Sequence, residues 1–297
     1  MELSDSKLKV LAALAETRGV VRDAAKLAGV TKQYVYEIIG KMKSRGIKLR
    51  AYPLLSALGR VFAAVCTYAP PDNGLLALRL HVYKFDGDSM MFGLYVVPHF
   101  RQGPSLIKLQ EATVEEVKDV LFAAPRYEVD RLVAGESDRL PQPPRVRLDE
   151  DDAALLKHLY EDLTAPITSA LPSASKSRLS YHYRAHVRRL LQVLIDYHPQ
   201  KLHTRPLLFA EVKAPSESWL AALLKAREIY AIIPKTGGYS AYALIDAVDA
   251  FDLLRRIVAV KERGFPPLSA KLIGYVDPEK SSKPKIPDVF LQACPGM

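Results

Sequence analysis

The sequence predicts an α+β protein in which two helix-turn-helix-like modules alternate with two α/β domains, and three observations lead there. An apolar pattern is written twice. Leu3, Val10, Leu11, Leu14 and Glu16 recur 145 positions later as Leu148, Leu155, Leu156, Leu159 and Glu161, so the first helix of each copy buries the same face. Each copy then closes its three-helix pattern on a basic helix. After that helix each copy carries a run of strands and helices in the order β-α-β-β-α-β, the split-βαβ or ferredoxin-like arrangement.

The copies are separated by a segment that rejects helix, because Pro141, Pro143 and Pro144 fall within four residues of one another. The expected layout is therefore a helix-turn-helix over 1–52, an αβ domain over 58–135, a Pro-rich linker over 136–147, a second, divergent helix-turn-helix over 148–200, a second αβ domain over 204–277 and a tail over 278–297. A winged form, with a strand trailing each reading helix, is expected for both modules.

In the first module Ser6–Ala15 reads as an amphipathic helix, and Arg22–Ala28 as a short second helix that stops at Gly29, where a left-handed backbone is cheapest. Thr31 is the expected N-cap of a third helix. At 100° per residue Val35, Ile38, Ile39 and Met42 point inward, so Gln33, Glu37, Gly40 and Ser44 point outward, flanked by Lys32, Tyr36 and Lys43. A narrow outer face with a glycine and short polar side chains suits a major groove. Arg45, Lys48 and Arg50 come next along the chain, placed for phosphates, which would add affinity without sequence information. The stretch KLAGVTKQYVYEIIGKMKSRGI resembles the helix-turn-helix of the leucine-responsive and asparagine-synthetase-regulator (Lrp/AsnC) transcription factors, with Ala25, Gly29, Val30, Thr31 and Val35 on that family's small-residue, turn and core positions. The resemblance implies that the third helix enters the groove of DNA.

In the second module the third helix is expected over Ser177–Ile195. Leu179, Tyr183, Val187, Leu190 and Leu194 share one face, and Arg178, Tyr181, Arg184, Arg188 and Arg189 cover the other. Leu163–Ile195 holds five Lys and Arg and no acid, an uncompensated basic face. The preceding TAPITSALPSASKS carries two prolines, so the second helix is expected to be short or displaced, and this half to grip phosphates.

The first αβ domain reads as a strand Val61–Tyr68, a short helix Leu75–Leu80, and a hairpin of Val82–Phe85 and Met91–Val97 around Asp86-Gly87-Asp88. A Thr-x-x-Glu capping box at Thr113–Glu116 opens a helix Val114–Phe122, and Tyr127–Val133 closes as a strand. His99–Gln110 fits no simple element. The second domain reads as strand Leu207–Val212, helix Glu217–Arg227, strand Ile229–Ile233, a turn at Gly237-Gly238, strand Tyr239–Ile245, helix Val248–Glu262 and strand Ser269–Val276. Its segment TGGYSAYALIDAVDAFDLLRRI looks like the effector and assembly domain of the same regulators. The resemblance marks Thr236, Gly237, Gly238, Tyr239 and Ser240 as effector-binding candidates. Ser240 stands where that family commonly has Asp, and a hydroxyl pairs with an ammonium more weakly than a carboxylate does. The glycines read equally well as turn residues.

Charge and composition agree with a nucleic-acid partner. Net charge is +9, and residues 1–50 hold 11 Lys and Arg against 5 Asp and Glu. Cys66 and Cys294 stand far apart, which argues against a disulfide framework or a cysteine metal site. With no apolar run of membrane length and no signal-peptide core, a cytoplasmic protein without a membrane partner is expected. No phosphate-binding loop, His-Glu-x-x-His or Gly-x-Ser-x-Gly occurs, so neither an enzyme nor a cofactor nor a metal is expected.

The expected function is thus a sequence-specific, effector-responsive transcriptional regulator. Its expected partners are double-stranded DNA, a small-molecule effector, and either a second copy or the chain's own other half in a pseudo-dimer. Two alternatives stay open. One is a tetrapyrrole-processing enzyme of the sirohaem decarboxylase type, which shares the two-part layout and would use His81, His99 and Arg101; the other is an interaction module that has lost DNA.

Overall fold

Like has joined with like along this chain. The computed structural model describes residues 5–44, 46, 48–99, 112–124, 138–143, 148–196, 207–246, 251, 255, 258–259 and 269–291. It is a mixed helix and sheet structure in two compact units: Met1–Ala57, Pro143–Leu202 and Ile286–Met297 form the first, and Leu58–Gln142 with His203–Lys285 the second.

The first unit contains both three-helix segments. The first module runs α1 (Asp5–Glu16), α2 (Val21–Ala28), α3 (Lys32–Ser44) and β1 (Lys48–Pro53). The second runs α4 (Glu150–Glu161), a 3-10 turn (Ile167–Ser169), α5 (Lys176–His182), a π-helical turn (Tyr183–Val187), α6 (Arg188–Leu190) and β7 (Leu191–Asp196). The repeated positions do the same work in each: Val10, Leu11 and Leu14 are buried, and so are Leu155, Leu156 and Leu159. Local signals set the helix ends. Gly29 closes α2 at φ 68°, and Asp149 and Asp152 form a reciprocal capping box on α4. The prolines of the second module leave only a 3-10 turn in the place of its second helix.

The basic helix of the second module is shorter than its sequence suggests. It ends at Leu190, and Leu191–Asp196 leaves it to pair antiparallel with β1, from Lys48 opposite Asp196 to Pro53 opposite Leu191. The run LLQVLI satisfies helical and strand periods alike, and the ladder to β1 decides the matter. The strand trailing each module thus pairs with that of the other module.

In the second unit the described strands form a nine-stranded sheet. It contains β2 (Gly59–Cys66), β3 (Leu76–Lys84), β4 (Ser89–Pro98), β5 (Thr113–Val117), β6 (Leu121–Phe122), β8 (Leu207–Lys213), β9 (Ile229–Pro234), β10 (Ser240–Asp246) and β11 (Ser269–Asp277), in the order β5-β2-β4-β3-β11-β8-β10-β9-β6. Eight of these strands fall into two sets of four, β2–β5 and β8–β11, each in the spatial order fourth, first, third, second; the sets meet where β3 pairs β11, and β6 of the first half is the ninth strand. The seam is tight: a Cβ on Gly274 would overlap the Tyr83 carbonyl. β5 pairs β2 at one end of the order while β6, a few residues on, pairs β9 at the other, and a bridge from Val117 to Lys235 joins the two ends. The sheet is thereby closed on itself. Phe92 of β4 lies 5.1 Å from both Phe209 of β8 and Tyr242 of β10, so the core is shared by both halves.

Two helices expected in the first αβ domain are strands. Leu76–Lys84 runs extended through the expected helix Leu75–Leu80, and Thr113–Val117 is β5 despite its capping-box motif. In both, pairing with a neighbouring strand outweighs a short local signal. The hairpin at Gly87 and the strands of the second domain match expectation. Its helix α7 (Glu217–Leu223) stops four residues short of Arg227, and of the expected helix Val248–Glu262 only Phe251, Arg255, Val258 and Ala259 are described, all helical. Tyr127–Val133 and most of His99–Gln110 lie outside the described residues. The linker is less free than its prolines suggest, because Asp138 pairs with Lys225 at 2.7 Å and Leu140 is buried. Past β11 the chain continues along β3, where Ser282 N donates to the Arg79 carbonyl and Lys285 N to that of Ala77. A last helix, α8 (Asp288–Leu291), belongs to the first unit.

Candidate nucleic-acid interface

α3 presents the face its sequence dictates. Val35, Ile38, Ile39 and Met42 are buried, while Lys32, Gln33, Tyr36, Glu37, Gly40 and Ser44 are exposed. The Thr31 hydroxyl accepts from Tyr34 N at 3.2 Å, capping the helix. Tyr36 is 59% exposed, an aromatic ring held in solvent on a face that is otherwise polar. Gly40 has open space above its Cα, so the middle of the face is flat. Along this face Lys41 is paired with Glu37 at 2.5 Å, one turn back.

The flanking cations divide. Lys43 Nζ is held by Asp162 Oδ2 at 2.7 Å and donates to Thr164 Oγ1 at 2.6 Å. Burial works against the Asp162 carboxylate, but its bonds to Lys43 and Thr164 prevail and lower its pKa. Arg50 is turned inward, contrary to its expected phosphate role: it donates to the Tyr160 carbonyl at 3.1 Å and lies 5.0 Å above the Tyr160 ring. It sits on β1, whose alternate side chains must face α4. Lys48, at the start of that strand, is exposed, and Arg45 lies outside the described residues.

On the second module Tyr181, Arg184 and Arg189 are exposed, with Leu179, Val187 and Leu190 buried beneath them. Arg178 is exposed but bound to Asp151 at 2.5 Å. Arg188 is half-buried, pairs with Asp23 of α2 at 3.4 Å, and receives on its carbonyl the guanidinium of Arg18 at 2.8 Å. Burial and the neighbouring Arg188 and Arg189 lower the Arg18 pKa. Arg18 is not among the sequence candidates. It follows α1 in a left-handed turn at φ 53°, and only the fold brings it to residues 170 positions away.

A second feature belongs to the other unit. The turn at Gly237 (φ 88°) and Gly238 (φ 135°) opens beside a cavity of about 510 Å³ lined by Gly237, Gly238, Tyr239 and Ser240 together with Glu211, Lys213, Ser269, Ala270 and Lys271. Four of the five effector candidates therefore line one cavity. The fifth, Thr236, turns away and donates its hydroxyl to the Glu116 carbonyl at 2.7 Å. Sequence alone does not single out Lys213 and Lys271, because their place here depends on the pairing of β11 with β8. Glu211 is shared with an ionic cluster: Lys235 lies 2.8 Å from it, 3.3 Å from Glu115 and 4.2 Å above the Tyr242 ring, and the Tyr242 hydroxyl donates to Glu115. Burial, then the adjacent Glu115, pushes the Tyr242 phenol up to about 12.

The residues considered for tetrapyrrole chemistry do not form a described constellation. His81 packs edge-on against Tyr83 and lies 4.0 Å from Asp277, His99 is exposed, and Arg101 lies outside the described residues. No helix among the described residues is long and apolar enough to cross a membrane. Comparison with known proteins found no family model, no curated protein and no solved structure that matches the chain.

Proposed function

We propose that the chain is a DNA-binding transcriptional regulator that carries two unlike helix-turn-helix readers and two ferredoxin-like domains acting as an intramolecular pseudo-dimer. The observation that carries this reading is the outer face of α3. Lys32, Gln33 and Tyr36 are exposed on a capped helix whose opposite side is fully buried, around a flat centre at Gly40. Long polar groups at the N-terminal end of such a helix reach base edges in a major groove. The resemblance of KLAGVTKQYVYEIIGKMKSRGI to Lrp/AsnC regulators points the same way. The strand order within each half agrees with the ferredoxin-like reading, and the β3–β11 seam with the pseudo-dimer.

The second module supplies mainly phosphate contacts, through Arg184, Arg189 and the Arg18 cluster. Because the modules differ, the operator is asymmetric rather than palindromic. The cavity beside Gly237 is the effector site in this reading. With two lysines against one glutamate it favours a small anion such as a carboxylate, and Ser240 in place of the usual Asp removes the partner for an ammonium group.

Selection of bound fragments from genomic DNA, followed by fluorescence anisotropy at two salt concentrations, tests the proposal. A specific site with nanomolar-range affinity that weakens steeply with salt is expected. Affinity that is flat across salt, or equal on all fragments, rejects it.

A further inference from the structure

The N-terminus of α4 and the middle of the α5–α6 helix converge on one cluster of ligating atoms. Asp149, Asp152, His182 and His186 each offer an atom, and the four atoms lie within 4.8 Å of one another. His182 Nδ1 is 3.0 Å from Asp152 Oδ1 and 3.5 Å from Asp149 Oδ1, while His186 Nδ1 is 2.9 Å from Asp152 Oδ2. In a tetrahedral site with bonds of about 2.0–2.2 Å, neighbouring ligand atoms stand about 3.3–3.6 Å apart. The three short contacts lie near that range but use both oxygens of Asp152, and the wider separations, within 4.8 Å, would close by a shift of the side chains as an ion is taken up.

Three further features favour a cation over a hydrogen-bonded cluster alone. With His182 and His186 neutral, as metal ligands must be, Asp149, Asp151 and Asp152 place three carboxylates against one guanidinium, that of Arg178, and Asp152 is completely buried with Asp151 nearly so. Buried charge persists where it is paired or bound to metal, and a divalent ion balances this excess. His182 also has the support a metal-bound imidazole requires. Its Nε2 lies 3.4 Å from Asp151 Oδ2, and Asp151 is itself held by Arg178 at 2.5 Å, so that Nε2–H donation leaves Nδ1 free to ligate. Finally, the helix makes its π-helical turn, Tyr183–Val187, directly after His182 and through His186, a distortion that recurs at functional sites.

We infer that Asp149, Asp152, His182 and His186 form a divalent transition-metal site that staples α4 to the basic helix of the second module. Two imidazoles and two carboxylates suit Zn²⁺ better than Mg²⁺ or Ca²⁺, which take oxygen ligands. The site holds the helix that displays Tyr181 and Arg184, but its existence does not depend on what that helix contacts.

The test uses the full chain stripped with a chelator and titrated with Zn²⁺ by calorimetry and with Co²⁺ by visible absorption. A saturable site with a Zn²⁺ Kd below about 1 μM is expected. Co²⁺ should give the strong visible bands of a four-coordinate ion, and Zn²⁺ should raise the thermal midpoint. His186→Gln should weaken binding by at least about 100-fold, and Asp151→Asn, which removes the carboxylate that orients His182 and pairs with Arg178 but no ligating atom, by about 10- to 100-fold. His81→Gln, in the other unit, should leave it unchanged. Absence of saturable binding to the wild-type chain, or wild-type affinity in His186→Gln, overturns the site. Should His186→Gln fail to fold, protection of His182 and His186 from diethyl pyrocarbonate by Zn²⁺ in the wild-type chain decides: protection supports the site, and unchanged labelling rejects it.

Discussion

The two modules of the first unit share a first helix and differ in what their basic helices have left to offer. On α3, Lys32, Gln33 and Tyr36 stand exposed, with Lys43 drawn off to Asp162, and Arg50 of the following strand β1 is drawn off to Tyr160. On the second helix, Arg178 and Arg188 are engaged by Asp151 and Asp23, which leaves Tyr181, Arg184 and Arg189. The second helix is the more basic in sequence, yet two of its five cations, Arg178 and Arg188, are already paired with acids of the protein itself. A guanidinium count therefore overstates the surface open to phosphate, and α3, with fewer cations than the second helix, keeps the more varied outer face.

The shared scaffold is the sharpest place to strike this comparison. Leu14→Ala and Leu159→Ala remove equivalent buried side chains and should each cost about 2–5 kcal/mol in urea unfolding. Losses differing by more than about 3 kcal/mol would show that the repeated pattern does not mean equivalent packing. The difference in role comes next. Gln33→Ala should relax choice at a base position by about 1–3 kcal/mol, whereas Arg184→Ala with Arg189→Ala should weaken all sequences alike and reduce the salt slope by about 2. The reverse pattern, read by anisotropy on a panel of point-substituted operators, would exchange the roles of the modules.

Smaller effects probe the engaged charges. Asp23→Asn releases Arg188, and because both partners are more than a third exposed it should cost no more than about 1 kcal/mol. Equal or better DNA affinity in that variant is expected, since the freed guanidinium becomes available; a tenfold loss would mean that the pair positions the helix. The smallest effect concerns pH. Asp162 has a pKa below its ordinary 3.8 in the folded chain, so its contribution is complete above that value and disappears as pH falls through the lowered one. Lys43→Met should flatten this acid-side loss of stability, by less than about 1 kcal/mol given the exposure of the pair.

Much of the first unit was legible in sequence because its signals are local. A 3.6-residue period fixes the buried side of α3, and Gly29 and Thr31 mark helix ends within one turn. The second αβ domain was legible for similar reasons, with the short apolar runs Ile229–Ile233 and Tyr239–Ile245 flanking the Gly237-Gly238 turn. The first was less so. Leu75–Leu80 is too short for periodicity to separate helix from strand, and the Thr113–Glu116 motif caps a helix only when no strand competes for the same backbone. β2 competes and wins. Of the ligating cluster, spacing shows only that His182 and His186 stand at i, i+4 on one helix face; that Asp152 meets them from 30 and 34 residues away is not encoded in any spacing.

By itself the sequence determined which side of α1, α3 and α4 is apolar, where α2 stops at Gly29 and α3 starts at Thr31, and that the pattern occurs twice. Those properties arise from the pitch of the backbone and from bonds closed within a few residues. Tertiary structure alone decided that Leu191–Asp196 would leave its helix for β1, that β3 would meet β11, and which arginines would face solvent. Strand partners and counter-charges are chosen by whichever distant segment arrives alongside, and no local period encodes that arrival.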